Sequence, residues 1–174
     1  QNISTSYITK ITTIGLQSSE IINKETAIYY IHTCHKLMDF FVFNEDSQNI
    51  KKMILLYEDF GKKVLIREDY FATTGIFSSL VTIIFYQNKK LSSDKTIWYP
   101  IIRAFTVLVL LGVERGKRYD LILVPFLNYI KWLNPEDFPN IIEFTKAFLD
   151  SKMSNLLDEL LNKVSSVPKE IPSE

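Results

Sequence analysis

Residues 70–87 read YFATTGIFSSLVTIIFYQ without a charge, and residues 96–113 read TIWYPIIRAFTVLVLLGV with Arg103 as their one charge. A polar link, residues 88–95, joins them. Two apolar segments of helical length around a tight polar turn predict an αα-hairpin, and segments so poor in charge are expected to be covered on most sides. The flanking sequence is more amphipathic, so this hairpin is the expected middle of the core, with Ile76, Leu80, Ile83, Phe105, Leu108 and Leu111 inside it.

Working outward toward the N-terminus, Asp69 stands where a cap for the hairpin is needed, and residues 64–66 are too short to assign by period. Before them, Asn44-Glu45-Asp46-Ser47 offers caps and negative charge to a helix with apolar positions Ile50, Met53, Ile54, Tyr57 and Phe60, which Gly61 is expected to end or bend. An earlier helix, opened by Asn23, aligns Ile28, Ile31, Cys34, Met38 and Phe41 in one stripe and ends near Phe43. Residues 3–22 keep helical spacing on β-branched side chains.

Toward the C-terminus, Gly112 and Gly116 flank a basic turn, and Asp120 is placed to cap a segment that reaches Leu133. Pro125 within it predicts a kink or a later start. Asn134-Pro135-Glu136-Asp137 reads as a stop followed by a start, with a helix from Phe138 to about Lys152 carrying Ile141, Ile142, Thr145, Phe148 and Leu149 on one side. A last helix uses Leu156, Leu157, Leu160, Leu161 and Val164. The expected fold is therefore all-α, with about eight helices in antiparallel hairpins around the central one, as a bundle or a short irregular helical-repeat array. Pro100, Pro125 and Pro139 fall near helix starts at unequal spacing, a weak repeat signal. Residues 1–164 read as a single domain and residues 165–174, SSVPKEIPSE, as a linker, so the chain reads as a piece of a longer protein.

With 174 residues, a hydrophobic fraction of 47% and 13% aromatics, the sequence has ample material for a core. Twenty basic and twenty acidic residues cancel, so no long-range field steers it toward nucleic acid or an anionic membrane. Cys34 is the single cysteine, which excludes an internal disulfide and favours an intracellular setting, cytoplasmic or nuclear. Asn2-Ile3-Ser4 matches a glycosylation acceptor, but no signal-like apolar region precedes it.

Site chemistry is sparse. His32-Thr33-Cys34-His35 sets two imidazoles three apart, yet no other histidine or cysteine completes a zinc shell, so Cys34 is assigned to the core and no metal or cofactor is expected. The acidic pairs Glu58-Asp59, Glu68-Asp69, Glu136-Asp137 and Asp158-Glu159 place neighbouring carboxylates in different directions and are assigned to caps and solvated faces. Gly61-Lys62-Lys63 and Gly116-Lys117-Arg118 lack the further glycine and the Ser or Thr of a P-loop. An enzyme is the least supported class.

The most suggestive feature is the turn Arg115-Gly116-Lys117-Arg118, with Trp98, Tyr99 and Trp132 on the adjoining segments, since cations interleaved with aromatics engage phosphates or acidic segments. The bland alternative is that these cations complement a helix dipole and stay hydrated. The expected function is a non-enzymatic helical protein-protein interaction or scaffold domain of a larger protein, with Arg115, Lys117, Arg118, Trp98 and Trp132 as partner-binding residues and an acidic protein segment as the partner. The alternatives are a membrane-associating hairpin over residues 70–113 and a nucleic-acid-associated domain using Lys51, Lys52, Lys62, Lys63 and the basic turn.

Overall fold

The computed structural model describes residues 24–66 and 93–166, and these contain six helices and no strand. In chain order they are α1 Lys24–Phe43, α2 Ser47–Ile66, α3 Lys95–Glu114, α4 Asp120–Leu133, α5 Phe138–Lys146 and α6 Ser151–Ser166. Residues 3–22 and 70–87, and with them Ile76, Leu80, Ile83 and the cap assigned to Asp69, lie outside the described residues, as do the side chains of Ile28, Ile31 and Phe60. Chain contacts group into two compact units, Gln1–Phe105 and Thr106–Glu174, with the division inside α3.

In the first unit, α1 packs on α2. Cys34, Met38 and Phe41 face inward from α1, and Ile50, Met53, Ile54 and Tyr57 from α2, at the spacing the sequence shows. Helix α1 ends in a Schellman motif: Asp46 N–H reaches Phe41 O at 2.9 Å, Glu45 N–H reaches Val42 O at 3.1 Å, and Glu45 takes φ 53°. Asp46 then caps α2, its Oδ1 accepting from Asn49 N–H at 3.3 Å and its Oδ2 from the Asn49 amide at 2.6 Å. Gly61 does not end α2. Gly61 is buried and the helix runs through it to Ile66, because a glycine costs a helix interior only about 1 kcal/mol and burial outweighs that.

Helix α3 opens at Asp94, whose Oδ1 accepts from Thr96 N–H at 3.0 Å and from Thr96 Oγ1 at 2.6 Å. Every residue from Ile101 to Leu110 is buried, including Arg103 and Thr106, as suits a helix apolar on all sides. Phe105 and Leu108 are core residues as expected, whereas Leu111 is only partly buried. Pro100 and Pro125 are each the sixth residue of their helix, and each removes one i→i−4 bond without ending it. Helix α4 therefore begins at Asp120 and not after the proline.

In the second unit, α4 packs on α6. Leu123, Phe126, Leu127 and Ile130 face inward from α4, and Met153, Leu157, Leu160 and Val164 from α6. The Asn134 to Asp137 signal separates α4 from α5 where the sequence predicts. The helix expected through Lys152 is two helices: α5 stops at Lys146, and Asp150 starts α6 by accepting the Met153 N–H at 2.8 Å on its Oδ1. Ile141, Ile142 and Thr145 are buried, but Phe148 falls in the turn and is exposed, so it does not continue their stripe. Two surface ion pairs tie the ends of this unit together, Lys146 to Asp158 at 2.7 Å and Lys152 to Glu114 at 3.1 Å.

Candidate interaction surface

The turn between α3 and α4 is fixed by backbone geometry. Helix α3 ends in a second Schellman motif, with Lys117 N–H to Gly112 O at 2.9 Å, Gly116 N–H to Val113 O at 3.0 Å, and Gly116 at φ 87°. Gly112 matters for a different reason: a Cβ there would run into the Tyr119 ring, so its hydrogen lets that ring lie against the last turn of α3. Both glycines thus set the angle at which the chain leaves α3 and enters α4, and with it the position of the basic turn.

On that turn Arg115 and Arg118 are exposed and Lys117 is partly exposed. Arg118 donates from Nε and Nη2 to the two carboxylate oxygens of Asp120, at 3.1 and 3.2 Å, while its side chain stays 74% exposed. Asp120 is therefore a first-turn residue clamped by arginine, not the cap the sequence suggested; Tyr119 occupies the N-cap position without a side-chain bond. The hydrogen bond from Arg118 holds the Asp120 carboxyl below its ordinary range, and the positive charges of Arg118 and, from α6, Lys163 act the same way. The guanidinium has five N–H donors, so this clamp leaves others to meet a second acceptor.

The side of α4 turned away from its buried residues is apolar as well. Leu121 is 64% exposed, Ile122 45% and Trp132 52%; Pro125 is exposed and Tyr129 partly so, its ring 6.0 Å from that of Trp132. Positions 121, 125, 129 and 132 form one row along the helix. Sequence reasoning missed this row because it sought the inward stripe of α4. The available signal was that residues 120–133 are apolar around the whole helix, more than one packing face requires.

Of the residues singled out in the sequence, Arg115, Lys117 and Arg118 lie on the turn before α4, and Trp132 is exposed in the last turn of that helix. Trp98 is not at the surface: it is 0% exposed and packs as a core residue of α3. Elsewhere, His32 is exposed, Cys34 is buried and His35 lies 3.5 Å from Asp39, and no group of metal-ligating side chains occurs among the described residues. Glu58, assigned to a solvated face, is instead buried against Arg103. Compared with known families, curated proteins and solved structures, the chain matches none.

Proposed function

We propose that the chain is a non-enzymatic helical interaction module that offers the outward face of α4 and the basic turn before it to a protein partner. The observation that carries this is the exposed row Leu121, Pro125, Tyr129 and Trp132, with Ile122 beside it, on the helix that follows the basic turn of Arg115, Lys117 and Arg118. Scattered apolar residues on a surface need no explanation, but a row of them along one exposed helix face marks interaction sites. Aromatic and arginine side chains are also those most often central to binding energy. The same proposal places the module in an intracellular protein and keeps the arrangement of about eight helices in antiparallel hairpins.

The membrane-associating alternative draws on α3, the one helix among the described residues long and apolar enough to span a bilayer. Most of that helix is buried, which supports a core role for it. Capture of binding proteins on the intact chain, repeated with Leu121→Ser/Trp132→Ser and followed by titration of the purified candidate, tests the module. A protein held by the first and released by the second supports it. Equal retention by both overturns it.

A further inference from the structure

Pro125 is an exposed residue inside α4, where a proline has no N–H to give to the carbonyl four residues back. The Leu121 carbonyl therefore lacks its helical donor. A proline inside a helix weakens it, and because this ring stands outward, packing in the core does not offset the loss. Leu121 and Pro125 are successive members of the outward row, so the orphaned oxygen lies between them, on the face that also carries Ile122, Tyr129 and Trp132. Water satisfies it while the face is open. A partner that covered the row with hydrocarbon alone would strip that water and leave the oxygen buried and unpaired.

We propose that the partner segment is a helix whose apolar stripe carries one hydrogen-bond donor, an amide or hydroxyl side chain, that meets the Leu121 carbonyl beside Pro125 while the rest of the stripe packs along Ile122, Tyr129 and Trp132. The inference rests on the docking reading above and adds the chemistry that selects the partner. A row at helical spacing on a convex helix is what another helix packs against, ridge into groove, over about three turns. Selection comes from the penalty on the wrong partner: a stripe of hydrocarbon leaves the carbonyl with neither water nor donor, whereas a matched donor replaces the bond that proline removed. A second copy of the chain suits the face less well. The row runs over eleven residues, roughly 16 Å, of a helix about 10 Å wide, a strip far smaller than the about 800 Å² per partner of a standard stable interface.

The experiment selects binders to the intact chain from a phage library of three-turn helices, randomised along one stripe among apolar, amide and hydroxyl residues. Selected helices should carry Asn, Gln, Ser or Thr at one stripe position. Replacing that residue by Leu in the synthetic peptide should weaken binding roughly tenfold by fluorescence anisotropy, and only the donor-bearing peptide should shift the carbonyl-carbon resonance of Leu121. In Pro125→Ala, whose N–H closes the helical bond, the thermal midpoint should rise and the two peptides should bind alike. Selected stripes that are apolar throughout, held equally by the parent and Pro125→Ala but not by Leu121→Ser/Trp132→Ser, overturn the donor and leave the docking face. A dimer of the intact chain that Leu121→Ser/Trp132→Ser disperses puts a second copy on the face and overturns the separate helix. Selection of no helix that depends on Leu121 and Trp132 overturns both the donor and the docking face.

Discussion

Arg103 donates from Nε and Nη2 to the two carboxylate oxygens of Glu58, both at 3.2 Å, and the pair is buried. It joins α2 to α3 across 45 residues of sequence. Desolvation of two charges is offset only while both are present, so Arg103→Met or Glu58→Leu alone is expected to cost about 3–5 kcal/mol, while the double variant should be near neutral. Urea denaturation of the three variants measures the coupling. Single variants that each cost under ~0.5 kcal/mol would show that the pair is solvated in solution.

Helices α1 and α3 end in the same hydrogen-bonded motif, but the left-handed position is Glu45 in one and Gly116 in the other. A side chain in that conformation is strained by about 1–2 kcal/mol, partly offset by the greater freedom of glycine in the unfolded chain. Glu45→Gly should therefore raise stability by roughly 0.5–1 kcal/mol, and Gly116→Ala should lower it by a similar amount. Nothing lies within 4 Å of a Cβ at Gly116, so that loss would be conformational and not steric. Thermal midpoints moving in the same direction for both variants would contradict this.

Two buried threonines differ in the fate of their hydroxyls. Thr145 Oγ1 donates to Ile141 O at 2.9 Å, whereas Thr106 Oγ1 has no hydrogen-bond partner among the described residues. Thr145→Val gives up a bond and should cost about 1 kcal/mol, but Thr106→Val replaces an unsatisfied polar atom by a methyl group and should be neutral or stabilising by about 1 kcal/mol. Comparing the two in one denaturation series removes the shared effect of the Thr→Val change itself. Equal losses would mean that Thr106 finds a partner in solution.

Because Asp120 is held below its ordinary pKa by Arg118, folding binds fewer protons there than unfolding does. Its contribution is present above the unfolded value, about 3.9, and is lost as pH falls through the lower folded value. The gap in stability between the parent chain and Asp120→Asn should thus be constant from pH 5 to 8 and close below about pH 4. The gap is small, since the clamp is at the surface. A gap that widens on acidification would contradict the assignment.

Much of the helical architecture was legible because burial and spacing agree. Met38 and Phe41, Ile50 to Tyr57, and Leu157 to Val164 each repeat at three and four residues. Periodicity does not see a cap inside an apolar run, which is why Asp150 divided α5 from α6 unannounced. Nor does it pair distant charges: Arg103 looked like an interruption and Glu58 like half of a solvated pair until α2 and α3 were brought together. At the candidate surface the basic turn stood out as a run of cations, while Leu121, Pro125 and Tyr129 were hidden by Leu123, Phe126 and Ile130 interleaved with them. Trp98 misled because a tryptophan near cations in sequence says nothing of which way its ring faces.

The central claim is that the outward row of α4 serves a partner and not the core. Leu121→Ser/Trp132→Ser tests it when stability and binding of a protein captured on the intact chain and then purified are measured on the same sample, with Leu108→Ala in α3 setting the scale at about 2–5 kcal/mol. Stability within about 0.5 kcal/mol of the parent, together with at least tenfold weaker binding, is the predicted result. A loss of stability comparable to that of Leu108→Ala, with binding of that protein unchanged, would contradict it.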